Sequence, residues 1–295
     1  MGTVNGSGKV SGPVSQNDVR RHNAALVLGT IADAPGVSRA DIAARTGLAK
    51  ATVSMLVDRL RAAGLATETG RRPVAGRGRP ATALTLSDSG PYGLGLEIGV
   101  DYLAVCRVDL TGRVRAYHEH PADNRAGSPS EVLGRAADLA RVERTEAEAA
   151  GTALCGVGVA VPGLVETATG ILRLAPNLGW QDVDTGAAFA ARFRAPFPLP
   201  VSFANEADLA ACAELWSGEH MDLRNFVYVS GEVGIGAGFV VNGRLFGGAH
   251  GFTGEIGHMC VDPGPQGARC RCGARGCLET AAGREAILRG AGLRE

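Results

Sequence analysis

The sequence predicts an α/β protein made of a small basic helical domain followed by a larger acidic domain in which strands and helices are mixed. Charge supports this division, because residues 1–90 hold 12 Lys+Arg and 6 Asp+Glu (net +6), whereas residues 91–295 hold 18 and 24 (net −6). The basic part shows a helix-turn-helix pattern followed by two short strands. Such a basic segment on an acidic remainder is typical of a nucleic-acid-binding module attached to a different kind of domain.

Length and composition narrow the class of protein. A chain of 295 residues is too long for one average domain, and 45% hydrophobic with 20% charged residues is typical of a soluble globular protein. No apolar run reaches the roughly 18 residues of a membrane span, and the N-terminus lacks the apolar core of a signal peptide. We therefore expect a cytoplasmic protein without a membrane partner, and seven cysteines fit a reducing compartment.

The first predicted helix of the basic part covers residues 17–33. Asn17 is a suitable N-cap, and the apolar residues Leu26, Val27 and Ile31 recur at helical spacing. This spacing predicts that one face of the helix is buried.

Two shorter helices follow in the basic part. Ser38 is a good N-cap for the second helix, which turns Ile42 and Ala43 inward. The third helix runs from about Lys50 to Ala63. Four apolar side chains form its core face: Val53, Leu56, Val57 and Leu60.

A helix, a turn around Gly47 and a second helix form a helix-turn-helix, whose second helix contacts base edges in the major groove of DNA. We therefore predict contact with double-stranded operator DNA through the cap of the second helix and the outward face of the third. The predicted residues are Ser38, Lys50, Ala51, Thr52, Ser54 and Arg59. A plain three-helix bundle without DNA binding is the alternative.

A basic loop between two predicted strands extends this pattern to a winged helix-turn-helix. The strands cover residues 65–69 and 81–86, and the loop between them is rich in Gly, Pro and Arg. Arginines on such a wing contact phosphates or enter a narrow minor groove. The predicted wing contacts are Arg71, Arg72, Arg77 and Arg79. A flexible basic linker is the alternative, and residues 87–91 mark the end of the domain.

Alternating and apolar segments in the acidic part predict a mixed sheet. The predicted strands are 92–100, 103–109, 114–120, 154–161, 201–204, 226–230 and 238–241. The predicted helices are 130–150, 185–194, 206–216 and one from 281 to the last residue.

One His and three Cys lie within twenty residues near the end of the chain: His258, Cys270, Cys272 and Cys277. A Cys₃His set completes a tetrahedral zinc site and leaves no position for water, so the spacing predicts a structural Zn²⁺ ion. Four unconnected or disulfide-bonded side chains are the alternative. Glu255 and Glu279 flank the set, either as site residues or as ordinary helix-end carboxylates.

Six segments of the chain resemble the ROK family (repressors, open reading frames and sugar kinases). These are VPGLVE (161–166), APNLGW (175–180), FANEADLAACAE (203–214), GEVGIGAG (231–238), GEIGHM (254–259) and CRCGARGCLE (270–279). The resemblance implies an actin-like (ribonuclease H-like) two-lobed fold with a sugar between its lobes, and the winged helix-turn-helix implies the regulator branch.

The resemblance also implies boundaries and roles. Residues 1–14 would be disordered, 15–90 the winged helix-turn-helix, 91–200 the first lobe, and 201–295 a second lobe, incomplete at its end, with the zinc motif. The family's zinc ligands fall on His258, Cys270, Cys272 and Cys277. Its sugar contacts fall on Asn177, Asn205, Glu206, Glu255, His258 and Glu279, whose carboxylates and amides suit sugar hydroxyls.

The family's kinase pattern is broken at three positions. Val100 and Asp101 replace the Gly-Thr of the first phosphate loop, and Glu232-Val233 replaces the Gly-Thr of the second. Glu206 stands where kinases have the catalytic Asp that accepts the sugar proton. These changes predict that phosphoryl transfer is lost, so that no residue is assigned a catalytic role.

The preferred hypothesis is a transcriptional regulator, more readily a repressor than an activator, that binds a sugar or sugar phosphate and acts as a homodimer or dimer of dimers. The first alternative is an ATP-dependent sugar kinase of glucokinase or N-acetylhexosamine kinase type with an added DNA-binding domain. The second is a sensor domain that has lost sugar binding as well.

Overall fold

The computed structural model describes residues 15–72, 81–193, 199–217 and 222–293. The chain forms two compact units, of which the first contains the chain up to Gly93 with Arg107–Arg115 and Glu146–Cys155, and the second contains the rest. The α/β class is confirmed. The predicted disorder of residues 1–14 concerns a segment outside the described residues.

Three helices and a hairpin form the N-terminal domain. The helices are α1 (Gln16–Asp33), α2 (Arg39–Thr46) and α3 (Lys50–Ala62), and the strands are β1 (Ala66–Arg72) and β2 (Ala81–Leu86).

Capping boxes begin the first two helices. The hydroxyl of Ser15 accepts from the Asp18 amide at the start of α1, and Ser38 does the same with Asp41 at the start of α2. The prediction of Asn17 as N-cap is therefore wrong, because Ser15 has the reciprocal partner three residues later. The Ser38 cap is as predicted.

The core of this domain joins the helices to the hairpin. Its fully buried side chains are Val27, Ile31, Ile42, Val53, Val57 and Leu84. Leu84 of β2 also makes two backbone hydrogen bonds to the turn before α2: its amide donates to the Val37 carbonyl at 2.9 Å, and its carbonyl accepts from the Gly36 amide at 2.8 Å. The wing hairpin is thereby fixed to the turn before α2. Leu26, predicted to be part of the apolar stripe, is instead 39% exposed.

A five-stranded sheet contains β3 (Tyr92–Ile98), β4 (Tyr102–Asp109), β5 (Val114–Pro121), β6 (Leu154–Val161) and β10 (Val201–Asn205). Their order in the sheet is β10-β6-β3-β4-β5, and the helices between them in the chain are α4 (Pro129–Ala149) and α5 (Thr185–Ala190). β10 runs parallel to β6. The predicted lobe boundary at residue 200 thus separates β10 from the sheet in which it lies.

Two three-stranded antiparallel sheets complete the described strands. One is β7 (Leu164–Val165), β8 (Ile171–Ala175) and β9 (Trp180–Asp184), none of which was predicted. The other is β11 (Phe226–Gly231), β12 (Ile235–Val241) and β13 (Arg244–Leu245). Helix α6 (Glu206–Ser217) packs on β12 and β11, so its first residue lies beside the turn that joins them.

The end of the chain differs from the prediction of one helix. A short 3₁₀ helix (Ile256–His258) precedes a loop, and α7 (Leu278–Ala282) and α8 (Arg284–Gly290) follow it, separated by Gly283. Helix α5 is also shorter than the predicted 185–194. Among the described residues, no helix combines the length and apolarity that a membrane crossing requires.

Replacing Ser38 by Ala should destabilise the N-terminal domain by about 1 kcal/mol, because the partly buried hydroxyl bonds to the Asp41 amide and to the Asp41 carboxylate are both lost. Hydrogen exchange of the α1–α3 amides measures this change. Ser38→Thr keeps the hydroxyl and should exchange like the wild type. Equal exchange in the Ala and Thr variants would show that the cap contributes nothing.

Candidate functional site

The outward face of α3 is polar and accessible. Lys50, Ala51 and Arg59 are exposed, and Thr52 and Ser54 are partly exposed. The residue before α3 is an alanine, which offers no side-chain acceptor to the amides of the first turn, so this helix start keeps its partial positive charge. These features suit contact with a nucleic acid, and the contact itself stays a prediction.

The remaining predicted DNA contacts differ from these. Ser38 is buried, and its hydroxyl donates to the Asp41 carboxylate at 2.7 Å, so we remove it from the proposed interface. Arg71 and Arg72 close β1, and only their backbone is described. Arg77 and Arg79 lie outside the described residues.

An ion-pair network offsets the negative charge of the one acidic residue of α3. Asp58, the single acidic residue of that helix, lies 2.7 Å from the guanidinium of Arg39, which also lies 3.3 Å from Glu68 of β1. The hydrogen bond from Arg39 lowers the pKa of Asp58 from its usual value. Arg61 lies 3.2 Å from Glu68. The exposed cations of α3 thus face solvent without an unpaired carboxylate beside them.

Two arginines of α1 extend this cationic face and were missed by the sequence analysis. Arg20 and Arg21 border a surface concavity that Arg59 of α3 also lines. Arg21 pairs with Asp18, one turn earlier in the same helix. The available signal was a pair of arginines in the first turns of a helix that precedes a helix-turn-helix.

The four predicted metal ligands lie together near the end of the chain. The ligand atoms of His258, Cys270, Cys272 and Cys277 are all within 4.8 Å of one another. The Sγ atoms of Cys272 and Cys277 are 3.8 Å apart, and the Sγ of Cys270 is 3.6 Å from Nδ1 of His258. A cation placed here would displace thiol protons, because burial raises the pKa of Cys270 and Cys277.

Backbone hydrogen bonds fold the loop around this cluster. The amides of Val261 and Asp262 both donate to the carbonyl of Gly276, and the Cys270 amide donates to Ala274 at 2.9 Å. Cys277 is the N-cap residue of α7, so Glu279 lies in the first turn of this helix, two residues after the last thiol. The Sγ of Cys270 donates to Glu279 Oε1 at 2.7 Å.

A cavity of about 320 Å³ lies next to the cluster, in the second unit. All six predicted sugar-contacting residues line it, together with Glu97, Glu232 and residues of the β11–β12 turn. The six are Asn177, Asn205, Glu206, Glu255, His258 and Glu279. The structure thus brings these side chains together, and their contact with a sugar stays a prediction.

Burial perturbs the acids around this cavity. Burial, with Glu255, Glu97 and Glu232 adding to it, raises the pKa of Glu206 to about 8. The Oε2 atom of Glu206 is buried and has no hydrogen-bond partner among the described residues. Burial also raises the pKa of Asp208, which lies two residues further along α6, does not line the cavity and was missed by the sequence analysis, to about 7. At neutral pH Glu206 therefore carries a proton and is available as a hydrogen-bond donor.

The two asparagines have different roles. Asn205 donates to the Gly163 carbonyl at 3.0 Å and accepts from the Ala207 amide at 2.8 Å, so its side chain holds the start of α6. Asn177 Nδ2 and Glu279 Oε2 meet at Gly234, where a Cβ atom would lie 3.3 and 3.0 Å from them. Glycine at position 234 therefore leaves room for both side chains.

A tyrosine lies between two of the cavity's carboxylates. The Tyr102 hydroxyl donates to Glu97 Oε1 at 2.7 Å and lies 3.5 Å from Glu232 Oε2. Burial and then the bond to Glu97 raise the pKa of Tyr102, and burial raises that of Glu232. A Cβ atom on Gly99 would lie 2.3 Å from the Tyr102 ring, so the ring packs directly on the backbone of the segment that matches the first phosphate loop of the kinases.

Comparison with known proteins assigns the chain to a family. The sequence model of the ROK family matches residues 93–294 of the chain, and the sequence model of the MarR family matches residues 14–78. The chain belongs to the ROK family. Its fold is a winged-helix DNA-binding domain followed by the actin-like fold of ROK sugar kinases, as predicted.

Two curated relatives of the chain are regulators by name. The xylose repressor of Caldicellulosiruptor bescii is 36% identical over 271 residues, which cover 92% of this chain and 66% of the relative. The DNA-binding transcriptional dual regulator NagC of Escherichia coli is 30% identical over 272 residues, covering 91% and 64%. The chain thus spans about two thirds of the length of these relatives.

Solved ROK structures show the same fold. The crystal structure of a ROK family transcriptional regulator, a homologue of the E. coli MLC protein, matches with a TM-score of 0.73 and 31% identity over 93% of this chain and 67% of that one. A ROK family glucokinase from Streptomyces griseus, in complex with glucose and AMPPNP, matches with a TM-score of 0.56 and 25% identity over 67% and 59%.

Replacing Glu206 by Gln should make stability less dependent on pH. Because the folded-state pKa of about 8 exceeds the reference value of 4.5, the folded chain binds more protons between these values and loses stability as pH rises through them. Between pH 5.5 and 8.5 we expect the variant to gain roughly 3 kcal/mol relative to the wild type in urea unfolding.

Glu214→Gln is the matched control for this experiment, because Glu214 is exposed on the same helix and lies outside the cavity lining. It should shift stability equally at both pH values. A pH-independent difference between Glu206→Gln and the wild type would contradict the raised pKa.

Proposed function

We propose that this chain is a DNA-binding regulator of transcription, a repressor, whose ROK domain binds a sugar and no longer phosphorylates it. The observation that carries the proposal is the presence in one chain of a MarR-type winged helix with a cationic α3 face and of a ROK cavity whose phosphate-loop residues are acidic. The names of the relatives support it.

The exposed face of α3 supports DNA binding. Lys50 and Arg59 would contact phosphates, and Thr52 and Ser54 would reach base edges, because the N-terminal part of a recognition helix enters the major groove. Arg20 adds a cation from α1. We propose a homodimer reading paired half-sites in the cytoplasm, where the operator DNA is found.

The cavity supports sugar binding. Carboxylates and amides on its wall can pair with the hydroxyl groups of a monosaccharide, and the protonated Glu206 supplies a donor among acceptors. Xylose and N-acetylglucosamine are the first candidates, since relatives are named as repressors for these sugars. The sugar would change operator affinity only if it binds the DNA-competent and DNA-incompetent states unequally.

Phosphoryl transfer is disfavoured by the residues in the phosphate loops. Asp101 and Glu232 bring negative charge to positions where kinases present backbone amides and hydroxyls, and the Tyr102 hydroxyl, bound to Glu97, lies 3.5 Å from Glu232. The likeness to a glucokinase structure keeps a sugar kinase as the alternative. Transfer of phosphate from ATP to sugar, abolished by Glu206→Ala, would establish that alternative.

We also propose that the Cys₃His cluster holds a structural Zn²⁺ ion. Tetrahedral bonds of about 2.3 Å to sulfur and about 2.0 Å to nitrogen place two sulfurs about 3.8 Å apart and a sulfur and a nitrogen about 3.5 Å apart. The distances of 3.8 Å between Cys272 and Cys277 and 3.6 Å between Cys270 and His258 agree with this. The ion would fix the ring of His258, which also lines the cavity.

The test of DNA binding uses duplexes that the purified chain selects from a randomised library. Lys50→Ala with Arg59→Ala should weaken binding roughly 10- to 100-fold and flatten the dependence of log K on log[salt] by about one per lost phosphate contact. Arg113→Ala, an exposed cation outside the helical domain, is the control and should bind normally. Equal affinity of all three proteins would exclude α3 as the interface.

Adding xylose, N-acetylglucosamine or glucose to the complex tests the sugar response. One of them should release the selected duplex, and calorimetry should show that it binds the free chain. Release without heat of binding, or binding without any effect on DNA, would contradict a sugar-responsive regulator while leaving DNA binding intact.

Metal analysis tests the zinc site. The wild type and Cys260→Ser should each contain one zinc ion per chain, because Cys260 is exposed and lies outside the cluster, whereas Cys272→Ser should lose it. Chelation should weaken sugar binding more than DNA binding. Full zinc content in Cys272→Ser would refute the assignment, and equal loss of both activities would show that zinc stabilises the whole chain.

A further inference from the structure

The cavity wall carries negative charge and, among the described residues, no lysine or arginine. Five glutamates line it: Glu97, Glu206, Glu232, Glu255 and Glu279. Arg284, which lies 3.4 Å from Asp101 of the first phosphate loop, does not line the cavity. A sugar phosphate carries nearly two negative charges at neutral pH, so its anion would enter without a cationic partner.

The glutamates of the cavity fall into two groups, with Glu206 coupled to both. Glu255 and Glu279 flank His258, each 3.6 Å from one of its ring nitrogens. Glu97 and Glu232 lie on either side of the Tyr102 hydroxyl. Glu206 lies within electrostatic range of both groups, because Glu255, Glu97 and Glu232 all raise its pKa.

The helix start in the cavity does not offset this charge. The N-terminus of a helix can bind phosphate through its unpaired amides. In α6, however, the amides of Ala207 and Asp208 both donate to Asn205 Oδ1, at 2.8 and 3.4 Å. A zinc ion would not help either, since one Zn²⁺ with three thiolates carries a net charge of −1.

From this arrangement we infer that the effector is an uncharged sugar and that the cavity rejects the phosphate ester of the same sugar. The inference rests on the proposed function, because it assumes that the cavity binds a sugar. Hydroxyl groups suit a wall of carboxylate acceptors with one protonated carboxyl. The carboxylates would repel a phosphate unless they took up protons, which costs free energy at neutral pH.

Calorimetry at pH 7.5 with matched pairs of ligands tests the inference on the full chain. The pairs are xylose with xylose 5-phosphate, N-acetylglucosamine with its 6-phosphate, and glucose with its 6-phosphate. In the pair that binds, the free sugar should bind at least 100-fold more tightly than its phosphate. Equal or tighter binding of the phosphate would overturn the inference while leaving a sugar-binding site in place. No binding in any pair would reject the site itself.

Two variants test which residues set the preference. Glu97→Gln with Glu232→Gln keeps an acceptor for Tyr102 and removes two charges, so the ratio of the two dissociation constants should fall at least tenfold. Glu232→Gln alone serves if the double variant does not fold, and should lower the ratio in the same direction. Glu214→Gln, outside the cavity, should leave it unchanged. An unchanged ratio in the folded Glu97 and Glu232 variants would contradict the electrostatic explanation.

Discussion

Five glutamates around one small cavity are the constraint on which this site depends. Carboxylates removed from water and placed near one another cannot all remain ionised, and the raised pKa values of Glu206, Glu232 and Glu255 express that cost. A fold tolerates such a cost where the groups serve a ligand. The same crowding that disfavours a nucleotide phosphate makes the wall a dense set of acceptors for hydroxyl groups.

His258 joins this wall to the thiol cluster. Its Nδ1 faces Cys270 and its Nε2 faces Glu255, so the orientation of one ring is set from both sides. The side chain of Glu279 is also held at two points, because its Oε1 accepts from the Cys270 thiol and its Oε2 lies against Gly234. The loop that carries the cysteines therefore has a role beyond its own stability: it positions two residues of the neighbouring site.

Features encoded locally were predictable, and features created by tertiary packing were not. The buried face of α3 follows from helical spacing, and the Cys₃His cluster from residues within twenty positions. The pairing of Arg39 with Asp58 and Glu68 joins residues 19 and 29 positions apart, so no window of sequence shows it. The place of Tyr102 between two carboxylates, one of them 130 residues away, was hidden for the same reason. The strands β7 to β9 are too short to show a period.

The phenol held between Glu97 and Glu232 also bears on the kind of signal that such a protein gives. A kinase converts the sugar that it binds, so the fraction of kinase with sugar bound depends on the rate of conversion as well as on the concentration of the sugar. A chain that binds sugar without transferring phosphate to it, as proposed, returns each molecule unchanged. Its occupancy then follows the free concentration through a dissociation constant alone. Such a sensor spends no ATP and does not deplete the nutrient that it measures.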